Sequence, residues 1–241
     1  MITIYSFFSE QVTSSHLLTR LGHFAEGDMK KRKFEDWEYS EVNREFGYKR
    51  HYKNFTLLET WQACQEIVTE SELARLEVLQ ERLFHNAEAW NEDELKFMFI
   101  SPLTDLVNFY SEQYKIFTQR KFAATIGEWQ VNGVVDLVVS RGEQHPEQPF
   151  FFLHEYKQER KRDNDPLGQL LIAMVVAQHQ NEVQIPLYGC YVVGRNYFFV
   201  ALYGQEYSVS NAYNAASLPD LLLIFKMMRF VKQYIEQLVS A

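Results

Sequence analysis

The stretch PFFFLHEYKQERKRDNDPLGQ, Pro149 to Gln169, carries an acid and a lysine, Glu155 and Lys157, out of an apolar run. Side chains alternate along a strand, so Phe151, Leu153, Glu155 and Lys157 are predicted to share one face. An earlier apolar run, Val134 to Ser140, holds a single acid, Asp136, on a face with Val134 and Val138. A buried carboxylate is costly without a partner or a cation. If the two runs pair through the polar loop from Arg141 to Pro149, Asp136 and Glu155 converge on one site. Two carboxylates can hold Mg²⁺ (or Mn²⁺) through hard oxygen ligands. Such a cation lowers the pKa of a bound water and polarises a phosphate. A neighbouring lysine positions that water or stabilises the charge that develops in the transition state.

Spacing alone does not select these residues. Glu-x-Lys occurs three times, at Glu94–Lys96, Glu155–Lys157 and Glu159–Lys161, and only the middle copy ends an apolar run that follows an acid-bearing one. Each residue also has a plain structural reading. Asp136 could be a satisfied structural acid. Glu155 and Lys157 could be a surface ion pair of little energetic consequence. His154 and Tyr156 fall on the opposite face and are read as packing. His23 and His179 have no ligand-like spacing and are assigned no role.

The elements that must position these residues follow from pattern. The 241 residues are 46% hydrophobic, enough for a substantial core, and the 15% aromatic content must mostly be buried. Gly and Pro are scarce, so long flexible linkers are not expected. Residues 1–55 read as helices and irregular structure. A helical pattern runs from Thr56 to about Ala89 through Leu57, Leu58, Trp61, Cys64 and Ile67, with Ser71 as an internal N-cap. Asn91 caps a further helix toward Tyr110, with Glu92, Asp93 and Glu94 in its first turn and Pro102 kinking or dividing it. Then come strand, turn, strand, loop, strand, with a tight turn or a bulge at Val131 to Val134. Asp165 and Pro166 open a buried helix, a hairpin turns at Gly194-Arg195-Asn196, and an amphipathic helix closes the chain. The division expected is a mainly helical N-terminal extension, 1–90, on a core of 91–241.

Composition also bounds the setting. A net charge of −8 argues against a simple polycationic nucleic-acid binder, but not against an enzyme that meets phosphates through a cation. Positive charge clusters at Lys30–Lys33, at Arg44, Lys49, Arg50 and Lys53, and at Arg160–Arg162; such runs are usually solvated surface. Two cysteines, Cys64 and Cys190, make neither a disulfide framework nor a zinc site. The N-terminal MITIYSFF has no basic segment before it, so neither a signal peptide nor a membrane span is read, and a cytoplasmic location fits.

Gly133-Val134-Val135-Asp136, then Glu155-Tyr156-Lys157, then Gln169 in the next helix, resembles the PD-(D/E)XK nuclease superfamily. NEDELKFMFISPLTDLV, with Phe99-Ile100-Ser101-Pro102-Leu103, resembles the first helix of the nuclease domain at the N-terminus of type I restriction enzyme subunits. The resemblance spans roughly residues 91–205 and departs at Val135, where a proline often stands. It implies an α/β, restriction-endonuclease-like core: a helix, a three-stranded meander, a crossover helix and a further strand, forming a mixed central sheet flanked by helices. By position it implies that Asp136 and Glu155 are metal ligands, Lys157 is the catalytic lysine, Glu92 (with Glu94 as competitor) is the helix acid, and Gln169 supports the site or contacts nucleic acid. The expected activity is Mg²⁺-dependent hydrolysis of phosphodiesters in DNA, in restriction, defence or repair. No helicase motif is present, so a motor or specificity subunit would be a separate partner, and a homodimer is an alternative assembly.

Two other classes stand beside this one. A catalytically inactive protein of the same fold would serve as a nucleic-acid-binding or assembly module. An unrelated α/β interaction protein would leave Asp136 and Glu155 far apart.

Overall fold

The computed structural model describes residues 29–159 and 165–240. It is a mixed α/β arrangement with helices on both faces of one mixed sheet. The strands are β1 (Lys30–Lys33), β2 (Lys49–His51), β3 (Lys115–Ile126), β4 (Trp129–Arg141), β5 (Glu147–Lys157), β6 (Leu187–Val193), β7 (Asn196–Tyr203), β8 (Glu206–Val209) and β9 (Tyr213–Asn214). Their order is β1-β4-β5-β6-β7-β8-β2, with β3 on β4 and β9 on β7. The pairs β1–β4, β5–β6 and β2–β8 are parallel and the rest antiparallel.

The helices are α1 (Tyr39–Phe46), α2 (Thr56–Gln62), α3 (Glu70–Asn86), α4 (Glu92–Leu95), α5 (Ser101–Val107), α6 (Pro166–Gln180) and α7 (Leu218–Ser240). On one face, Leu58 and Trp61 of α2, Leu83 of α3, Leu103 of α5 and Phe225 of α7 pack on Phe152, Tyr188 and Phe199 of the sheet. The Trp61 indole donates to the Met227 carbonyl at 2.7 Å, so its buried N–H is satisfied. On the other face α6 is buried from Leu167 through Ala177. It lies between the sheet and a cover made by Phe34, Trp37 and Val42, which is why it is apolar all round. Full burial of each such aliphatic side chain contributes about 1.5–3 kcal/mol.

Several expectations change. The two helices read in the Thr56–Ala89 pattern are α2 and α3, but Cys64 and Ile67 fall between them rather than within a helix. Thr69, not Ser71, caps α3, because Thr69 and Glu72 form a reciprocal capping box that Ser71 lacks the acid to make. No turn occurs at Val131–Val134, which runs through β4. The turn is at Gly127, in a left-handed conformation (φ 59°), and Gly133 is needed instead because a Cβ there would lie 2.3 Å from the Phe34 ring. Phe151 does not share the face of Leu153. Pairing slips between Val139 with Phe152 and Ser140 with Phe150, leaving Phe151 opposite no residue and packed in the other core. Residues 30–33 and 49–51, read as helical or irregular, are edge strands of the central sheet.

Other readings hold. Asn91, with Glu94, caps α4, and Asp165 and Pro166 open α6. The hairpin turn falls at Gly194-Arg195, with Asn196 paired to Val193. Pro102 lies just beyond a π-helical turn, Lys96–Ile100. Proline removes the bond that its N–H would make to the Met98 carbonyl, and Arg82 donates to that carbonyl instead at 3.1 Å. No described helix is long and apolar enough to cross a membrane.

Candidate active site

β3 pairs along one edge of β4 from Trp129 to Ser140. β1 and β5 must therefore share the other edge: β1 covers Trp129–Asn132 and β5 covers Leu137–Arg141. Between them the sheet forks at Gly133–Asp136, and a groove of about 450 Å³ opens there, lined by Lys33, Lys121, Asp136, Glu155, Lys157 and Gln169 among others. Asp136 and Glu155 stand one residue beyond the last paired residues, Leu137 and His154. The sequence reading of these two acids and Lys157 as neighbours is what the register produces.

Asp136 is 10% exposed and carries three donors. Its Oδ1 accepts from Lys96 Nζ at 2.9 Å and from Gln119 Nε2 at 2.6 Å; its Oδ2 accepts the backbone N–H of Tyr156 at 2.9 Å. Glu155 is 5% exposed, and its Oε1 accepts from Lys157 Nζ at 2.7 Å. Burial pushes the Glu155 carboxyl up to about 8, and the negative charge of Asp136 adds to that, with Lys157 opposing. Burial works most strongly against the charge on Lys157, but Glu155 beside it, together with Glu92 and Asp136, outweighs this and holds the ammonium above its ordinary range. The pair is thus not the exposed ion pair of the plain structural reading.

Glu92, rather than Glu94, reaches the site. Glu94 is spent on the cap, accepting the Asn91 N–H at 2.8 Å. Glu92 Oε1 accepts from Lys96 Nζ at 2.6 Å, one helical turn on, and its charge is felt at Glu155 and Lys157. Gln169, in the first turn of α6, is buried and lines the groove, and its Oε1 has no hydrogen-bond partner among the described residues. His154 and Tyr156 lie on the far face, where the Tyr156 hydroxyl and His154 Nδ1 are 2.9 Å apart, as packing residues should be. The basic run Arg160–Arg162 lies outside the described residues.

Two residues were missed. Lys96 bridges Glu92 and Asp136, and although burial disfavours its charge, Asp136 and Glu92 raise its pKa above the ordinary value. The signal for it was its i,i+4 spacing from Glu92. Gln119 has φ 52°, a left-handed conformation inside a strand that costs on the order of 1–3 kcal/mol for such a residue. Nothing in its residue type signals that.

Among the described residues no three His, Cys, Asp or Glu side chains gather as a metal cluster. The donors present still fit one hard divalent cation. Asp136 and Glu155 offer carboxylate oxygens in a site where burial first, and the charge of Asp136 second, raise Glu155, and the Gln169 Oε1, unpartnered among the described residues, borders the same groove. No family model matches the chain, and no curated protein matches it in sequence.

Proposed function

We propose that the protein is a Mg²⁺-dependent nuclease that hydrolyses phosphodiester bonds in DNA. The observation that carries this reading is the meeting of Asp136, Glu155 and Lys157 in one groove at the fork of the sheet. The order of elements supports it: α4–α5, the meander β3–β4–β5, the crossover α6 and the parallel strand β6 are the succession expected of a restriction-endonuclease-like core.

Asp136 and Glu155 would hold the cation. When bound there, it supplies a Lewis acid for the phosphate and a lowered pKa for the attacking water. Lys157, tied to Glu155, presents positive charge to the groove where the phosphorane develops its negative charge. Glu92 holds Lys96 against Asp136 and so keeps that carboxylate oriented. Lys33 and Lys121 line the same groove and suit a polyanionic backbone. The test is cleavage of plasmid DNA with Mg²⁺ or Mn²⁺. Wild type is expected to cut, and Asp136→Ala and Lys157→Ala to fold without cutting. Cleavage retained by both purified variants would sink the assignment.

One observation favours a second reading, an inactive module of the same fold. The Lys96 ammonium already bridges Glu92 and Asp136 and offsets one of their two charges without any metal. Calorimetry with Mn²⁺ separates the two, since the inactive module has no need to bind it.

A further inference from the structure

We propose that Gln119 is a positioning residue for Asp136, held in a left-handed backbone conformation so that its amide fixes the carboxylate; this rests on reading Asp136 as a cation ligand. β3 is regular on both sides of the site, with Thr118 paired to Leu137 and Arg120 to Val135. Gln119 is skipped, and it is the residue opposite Asp136. Its φ of 52° is a conformation that glycine adopts freely and asparagine or aspartate tolerate, whereas glutamine has no intrinsic reason to be there.

The distortion has a consequence for both strands. Phe117 and Phe122 lie in the same core although they are an odd number of positions apart, so the alternation of β3 slips by one between them. Val135 and Val138 of β4 show the same slip on either side of Asp136. The left-handed residue is therefore the pivot at which the paired strands exchange faces, and the acid sits at that pivot. Glycine would supply the backbone geometry at no steric cost. What a glutamine adds is its amide, and Nε2 donates to Asp136 Oδ1 at 2.6 Å. Lys96 holds the same oxygen from the helical side and Tyr156 N–H holds the other, so the carboxylate is gripped from three elements. Strain that persists in a strand beside a buried acid is of the kind stored at functional sites.

The experiment compares Gln119→Gly and Gln119→Ala with wild type in the full chain. Both variants lose the amide, but only glycine relieves the backbone, so Gln119→Gly is expected to melt about 2–4 °C above Gln119→Ala. In both, the Tyr156 amide, whose bond to Asp136 depends on a fixed carboxylate, is expected to exchange with solvent several-fold faster by NMR. Mn²⁺ binding by calorimetry is expected to weaken about tenfold, the effect of losing a residue that orients a ligand. A residue with only a structural role would let Tyr156 exchange follow melting, slower in the more stable Gln119→Gly than in Gln119→Ala, and would leave Mn²⁺ binding unchanged. Unchanged Tyr156 exchange in both variants, or equal melting of the glycine and alanine forms, would overturn the proposal. Faster Tyr156 exchange in the variants of a protein that never binds Mn²⁺ would support the positioning role and remove the cation reading.

Discussion

The backbone N–H of Tyr156 donates to Asp136 Oδ2 at 2.9 Å. Tyr156 stands between Glu155 and Lys157, so the acid of β4 is bonded to the main chain of the segment that carries the other two groups. Backbone geometry, rather than two flexible side chains, sets the spacing of the site. The same bond caps an N–H that the fork of the sheet leaves beyond the last pairing of β4 with β5.

Lys96 is the counter-ion of the cluster. Lys96→Met should destabilise the metal-free protein by about 1–2 kcal/mol, because Glu92 and Asp136 are then left partly buried and uncompensated. Saturating Mn²⁺ should raise the melting temperature of the variant more than that of wild type. Equal shifts in thermal melts would show that Lys96 and the cation do not share carboxylates.

Glu155 predicts a pH dependence. Its carboxyl sits at about 8 in the folded protein against an ordinary 4.5. A raised acid favours the folded state while it is protonated. The contribution is fully present below about pH 4.5 and is lost as pH rises through about 8. His154, buried and lowered from 6.5 to about 3, acts in the opposite sense, its contribution falling away as pH drops below 6.5. Urea unfolding between pH 5.5 and 8.5 should therefore show wild type losing more stability than Glu155→Gln, in which His154 is unchanged. Parallel pH profiles for the two proteins would contradict the assignment.

The site was legible where a polar residue interrupts a strong apolar pattern. Asp136 within Val134–Ser140 and Glu155 after Phe150–Leu153 stand out because burying them needs a reason. Gln169 follows an Asp-Pro helix start that reads directly. Lys96 was hidden because it sits in a Glu-x-Lys copy with no strand around it, and its helical i,i+4 partner was the informative one. Gln119 was hidden because a left-handed residue is written into the pairing of two strands, not into glutamine. β1 and β2 were illegible for a related reason. Three or four charged residues show no alternation, and only their partners on β4 and β8 make them strands. The Phe151 bulge was masked by a run of three phenylalanines, which looks the same in any register.

Residues 34–42, before α2, are part of the core, and Gly168 tests this. A Cβ on Gly168 would lie 2.1 Å from the Trp37 carbonyl oxygen and 2.8 Å from the Tyr39 nitrogen. Gly168→Ala must push this segment off α6 and should cost about 1–3 kcal/mol in chemical denaturation. The shift falls next to Gln169, so the proposed DNA cleavage should drop as well. A variant as stable as wild type would mean that residues 37–39 do not seat on α6.

The central claim is that Asp136 and Glu155 together hold a divalent cation. The most direct measurement is a crystal structure of the protein soaked in Mn²⁺, with anomalous scattering collected at the manganese edge. The account predicts a peak in the groove between β1 and β5, in contact with carboxylate oxygens of both Asp136 and Glu155. A saturated crystal with no peak there, and with Lys96 still bridging Glu92 and Asp136, would contradict it.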